Sequence, residues 1–197
     1  MRKGEITRAR ILEEAARLAA LRGLSTVTLG ELADAVGLSK SGLFKHFESK
    51  EAMQRRVLQH ALDRFREFVW EAAATLPPGR TRLEAIFERW LDWDEVENPE
   101  GGCPLIVATV ELDDQPGPLR DLLHQRQWSW SRRLAEEMRA LRRPAPDEEE
   151  ARRAAFQMKS FILGFAEAKR LLGEADARRQ AKAAFRALLD RAEQGLA

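Results

Sequence analysis

The chain is poor in several residue types, and each shortage removes a class of reading. It has one cysteine, Cys103, so no disulfide can close within it. Its three histidines, His46, His60 and His124, fall on separate predicted elements, and no motif ties them to a nucleophile, a carboxylate or a metal-ligand spacing. No phosphate-binding loop or dinucleotide fingerprint appears, so neither a cofactor nor a metal is expected, and an enzyme is disfavoured. No apolar run approaches the ~18 residues of a membrane-spanning helix and no signal peptide opens the chain, which predicts a soluble cytoplasmic protein with no membrane partner. Tyrosine is absent altogether. β-branched residues are few, and no alternating pattern persists long enough for a strand.

What remains is 197 residues with 44% hydrophobic content, enough for one or two cores. Leu and Ala dominate, and strong helix formers fill the polar positions, so the expected fold is all-α with about nine helices. The net charge is only +1. Its distribution is less even: residues 1–50 carry nine Lys and Arg against six Asp and Glu, and the remainder is slightly acidic. A modestly basic N-terminal segment on a near-neutral body fits binding to a short nucleic-acid site better than indiscriminate coating.

Residues 25–51 are the most specific stretch. Thr28 is placed to cap a helix through Leu32, Ala33 and Val36, with Glu31 completing a capping box. Gly37 supplies the left-handed residue that ends it, and Leu38 turns inward. Ser39 caps a second, short helix beginning Lys40-Ser41-Gly42-Leu43. Leu43 and Phe47, four apart, give it one apolar face. Ser49 then caps a third helix with Lys50 in its first turn. Two short helices joined by a tight Gly-containing turn are the pattern of a helix-turn-helix DNA reader. The second helix has small N-terminal residues, which suits close approach to a groove, and Lys40, Lys45 and Lys50 bracket it with positive charge. An ordinary corner of an all-α protein is the plainer alternative.

From Thr7-Arg8-Ala9-Arg10-Ile11-Leu12 through Gly23 to Gly37-Leu38-Ser39-Lys40 and Leu43-Phe44-Lys45-His46-Phe47-Glu48-Ser49-Lys50-Glu51, the sequence resembles the N-terminal domain of the TetR family of bacterial transcriptional regulators. The resemblance implies three DNA-binding helices, a larger helical ligand-binding and dimerisation domain, and a homodimer on a palindromic operator. It also implies repression released by a small molecule. The chain departs from the family at Ser41-Gly42, where Gly-Thr is usual, and at Phe44, where Tyr is usual. Phe44 lacks the hydroxyl that commonly reaches phosphate, so it offers apolar contact only, to a thymine methyl or a sugar. The candidate contacts to double-stranded DNA are Thr28, Ser39, Lys40, Ser41, Gly42, Phe44, Lys45 and Lys50. Arg2 and Lys3 form a short basic arm ahead of the first helix, placed near Thr7–Arg22.

This divides the chain into a reader, residues 1–49, and a body, residues 50–197. A long helix from Lys50 towards Leu76, with Leu58, Ala61, Leu62, Phe65, Val69 and Ala72 as its stripe, joins them. Further helices are expected from Thr81 to near Asn98, from Pro104 to Leu112, and along Leu119–Leu141. Two more are expected over 147–172 and 175–194. Cys103 precedes Pro104; a small buried hydrophobe is the plain reading and a redox sensor the sharper one. Large side chains interrupted by polar ones suggest a ligand pocket, although aromatics at helical spacing often form plain core. The candidate effector contacts are Trp90, Trp93, Leu105, His124, Gln127, Trp128, Phe161 and Phe165, and the effector class is a small hydrophobic or aromatic compound. Phe156 and Gly164 on one terminal helix, with Ala181 and Phe185 on the other, are the candidate dimer seam. An effector-independent architectural DNA-binding protein and an all-α enzyme are the competing functions.

Overall fold

The computed structural model describes residues 3–196, and helices are the only regular structure among them. They are α1 (Lys3–Arg22), α2 (Leu29–Val36), α3 (Lys40–Phe44), α4 (Lys50–Phe65), α5 (Ala72–Ala74), α6 (Arg80–Asp92), α7 (Pro104–Leu112), α8 (Pro118–Arg139), α9 (Glu148–Arg170) and α10 (Ala177–Gln194). π-helical segments occupy Arg66–Glu71 and Trp93–Glu97. The first joins α4 to α5 without a break, so nine helices are present when that run counts as one. Arg2, of the expected basic arm, lies outside the described residues.

The described residues form two compact units. One holds the chain through Phe65 together with Asn98–His124. In it, Ile11, Ala15, Leu18 and Ala19 of α1 are buried with Leu32, Leu43, Phe47, Met53 and Val57. α7 packs on α1 as well. Pro104 occupies its first turn, where the missing N–H costs nothing, and Leu105, Ala108 and Leu112 are buried. The approach is tight at Gly101: a Cβ there would lie 2.6 Å from both the carbonyl carbon and the Cβ of Ala20.

The second unit holds Arg66–Glu97 and Gln125–Ala197. Leu83, Ile86, Phe87 and Leu91 of α6 are buried with Met158, Ile162 and Phe165 of α9 and Phe185, Leu188 and Leu189 of α10. Asp147 caps α9 by accepting the Glu150 amide at 2.8 Å. Arg178 reaches Glu88, Asp92 and Glu95, while Lys182 pairs with Glu88 and Lys169 with Glu95.

The π segments change one expectation. The stripe Leu58, Ala61, Leu62, Phe65 and Val69 is buried as predicted, but Ala72 is exposed and Ala73 is buried in its place. A π turn spaces its hydrogen bonds by five residues, so it inserts one residue into the 3.6 period and moves every later side chain on by one.

Candidate nucleic-acid interface

Each turn of the helix-turn-helix is held by short-range hydrogen bonds. Thr28, with extended backbone, caps α2: its Oγ1 accepts the Glu31 amide at 3.2 Å. The Glu31 carboxylate in return accepts from the Thr28 amide at 3.3 Å and hydroxyl at 3.0 Å. These bonds, from the Thr28 hydroxyl first and its amide second, hold the Glu31 carboxyl below its ordinary pKa. At the other end Gly37 sits at φ 69° and ψ 34°. The Gly37 amide donates to Asp34 and the Leu38 amide to Ala33, the paired bonds of a Schellman turn. A side chain with a Cβ would be strained there.

α3 is only five residues long. Ser39 Oγ accepts the Gly42 amide at 3.0 Å and lies 3.1 Å from Ser41 Oγ. A Cβ on Gly42 would come within 3.1 Å of that same Ser39 oxygen, so glycine keeps the cap close. Leu43 and Phe47 are fully buried, which turns Ser39, Lys40, Ser41, Phe44 and Lys45 outward; Phe44 is 53% exposed. The Lys40 stem lies over Gly30 in the first turn of α2, with Cε 3.4 Å from where a Cβ would stand.

The loop between α1 and α2 is clamped by three side chains from two helices, α4 and α7. Lys50 Nζ donates to the Ser25 carbonyl at 2.6 Å, and Gln54 Nε2 donates to the Leu24 carbonyl at 3.3 Å. Glu111, on α7, accepts the Leu24 amide at 2.6 Å and the Ser25 amide at 2.5 Å. Gly23 at φ 92° brings the chain into this carboxylate. Sequence reasoning placed Lys50 among the DNA contacts; the structure places its ammonium on this loop. It passed over Gln54 and Glu111, whose partners lie 30 and 87 residues away and leave no local signature. The one hint was a lone acid within the largely apolar α7.

The eight expected DNA contacts all fall in one compact unit. The expected effector contacts do not gather so closely. Leu105, buried, and His124, exposed, belong to the unit of the helix-turn-helix. The other six belong to the second unit: Trp90, Trp93 and Phe165 are buried, Gln127 and Phe161 half-buried, and Trp128 exposed. Trp90 meets Trp130 edge-on at 5.4 Å, Trp130 meets Trp70 at 6.1 Å, and Trp93 tilts against Phe68 at 6.0 Å. Of the expected dimer seam, Phe156 and Gly164 face outward. Ala181 and Phe185 are buried by their own chain, Phe185 stacking on Phe87 at 4.1 Å. Cys103 is buried.

Residues 11–57 match the family model for bacterial regulatory proteins of the tetR family, and residues 79–185 match the tetracyclin repressor-like C-terminal domain. The chain belongs to the tetR family. Among curated members it is 38% identical over 79 residues to the HTH-type transcriptional repressor KstR2 of Rhodococcus jostii, a match covering 40% of this chain and 39% of that one. It is 33% identical over 99 residues to the HTH-type transcriptional activator FasR of Mycolicibacterium smegmatis, covering 50% and 44%. The chain thus spans about two fifths of the length of the curated relatives it matches. A TetR transcriptional regulator from Chloroflexus aurantiacus, solved by crystallography, shares the tetR-family fold over 98% of both chains, with a TM-score of 0.82 and 25% identity. Among the described residues of this tetR-family chain no helix is long and apolar enough to cross a membrane.

Proposed function

We propose that this tetR-family protein is a cytoplasmic, non-enzymatic transcriptional regulator. It binds a palindromic DNA operator as a homodimer through α3. The observation that carries the reading is the exposed end of that helix. Ser39, Lys40, Ser41, Phe44 and Lys45 face outward on and beside a five-residue helix that the Ser39 hydroxyl caps. Small residues let the backbone approach a groove, lysines supply phosphate contacts, and the Phe44 ring supplies an apolar one. Residues 1–49 read DNA, and residues 50–197 dimerise and hold a small hydrophobic or aromatic effector that releases a repressor from its site. Release from near-full to near-empty occupancy requires the effector to prefer the DNA-incompetent state by about 5 kcal/mol.

Selection of bound sequences from a random duplex pool tests this directly. The expected result is a palindrome with half-sites one helical turn apart, lost when an effector is added. No enrichment at low salt overturns the reading. In the same assay Lys45→Ala should lower the slope of log affinity against log salt by about one per phosphate contact removed, so by about two for a dimer.

A further inference from the structure

Between α8 and α9 lies a cleft of about 380 Å³, large enough for a small organic ligand. Ala135 of α8 and Ala151 and Ala155 of α9 form the apolar part of its walls, and Trp128 and Phe156 line it as well, 53% and 72% exposed. Lys159 is half-buried in its lining and donates to Ser131 Oγ at 2.9 Å. No carboxylate among the described residues pairs with Lys159, although burial pushes its ammonium below the ordinary lysine value. The other charges lining the cleft are Arg132, Arg139 and Arg152 against Glu136 and Glu148, which leaves it positive. The Arg152 guanidinium lies 5.7 Å over the Trp128 ring.

A desolvated cation with only a hydroxyl for company is costly unless an anion arrives. Here the cation shares the cleft with three alanines and two aromatic rings, and the remaining arginines outnumber the glutamates. The geometry points to a binding site for an amphipathic monoanion, a carboxylate carrying an aromatic or short aliphatic body. The carboxylate meets Lys159 and the Ser131 hydroxyl, and the body lies along the alanines and against Trp128 and Phe156. This site is separate from the ring contacts among Trp70, Trp90 and Trp130, and it stands whether or not the chain regulates transcription.

The test uses the full chain labelled with 5-fluorotryptophan, followed by fluorine NMR during titration with 1-naphthoate and, in parallel, with neutral 1-naphthamide. Trp128→Phe assigns one of the five resonances. The expected result is saturable movement of the Trp128 resonance by naphthoate. Naphthamide should bind at least tenfold more weakly, and Lys159→Met should weaken naphthoate at least tenfold. Lys159→Arg keeps the charge and should retain binding within about threefold, which separates lost charge from lost folding. The site is refuted if Trp128 stays still up to millimolar naphthoate, or if only other tryptophans move. It is equally refuted if Trp128 responds to protein concentration alone, which assigns the cleft to a second copy of the chain.

Discussion

At the scale of single residues, Ser39 serves two ends that substitution can separate. Its hydroxyl accepts the Gly42 amide, and the same residue faces outward beside Lys40 and Ser41. Ser39→Ala should cost about 1 kcal/mol of stability in urea unfolding, the ordinary value of a lost cap. Ser39→Asp should keep that stability to within a few tenths and still cut DNA affinity at least tenfold at low salt, because it sets a carboxylate against phosphate. Gly101 is a position of a different kind. Gly101→Ala drives a methyl group into backbone atoms of α1, where neither partner is a flexible tip, and should destabilise by about 1–3 kcal/mol in the same measurement. The caps Thr28, Gly37, Ser39 and Asp147 were all legible in the sequence, since each bonds a backbone group within four residues, Gly37 as donor and the others as acceptors. Glu111 was not, because its partners are 87 and 86 residues away and its own surroundings in α7 say nothing about them.

At the scale of elements, helix existence was readable and helix register was not. The sequence predicts one helix from Lys50 towards Leu76, yet the segment Arg66–Glu71 adds a residue that no composition rule announces. Arg89 holds this segment from α6: it donates to the Phe68 carbonyl and lies 4.7 Å over the Phe68 ring. Arg89→Ala removes both contacts and should lower stability by about 2 kcal/mol, whereas Arg89→Lys, without the planar fork, should recover only part. Thermal unfolding of the three proteins checks the order. The apolar seam of α10 was legible in the same limited way. Periodicity marked Ala181 and Phe185 as a face to be covered, and only the fold shows that Phe87 of the same chain covers it.

At the scale of the whole molecule, the acidic side of the Arg178 network sets a pH limit. Burial pushes the Glu88 and Glu95 carboxyls up, but hydrogen bonds from Lys182 and Arg178 to Glu88, and from Lys169 and Arg178 to Glu95, hold both below the ordinary 4.5. The unfolded chain therefore takes up these protons at higher pH than the folded one. Their contribution is complete above the unfolded value and disappears as pH falls through the lower folded values. Melting temperature should hold level from pH 7 to about 5.5, then drop, and Arg178→Met should flatten that drop. The Glu111 clamp has a consequence of another sort, in time rather than in energy. The loop that leads into the reader is finished by a carboxylate 87 and 86 residues further along the chain, on a helix docked against α1. During synthesis residues 25–51 emerge before α7, so the whole motif must wait for Glu111 before the loop at Leu24 and Ser25 is tied down. A fragment cut at Phe65 carries every DNA-facing residue named above and lacks the piece that locks them into one body.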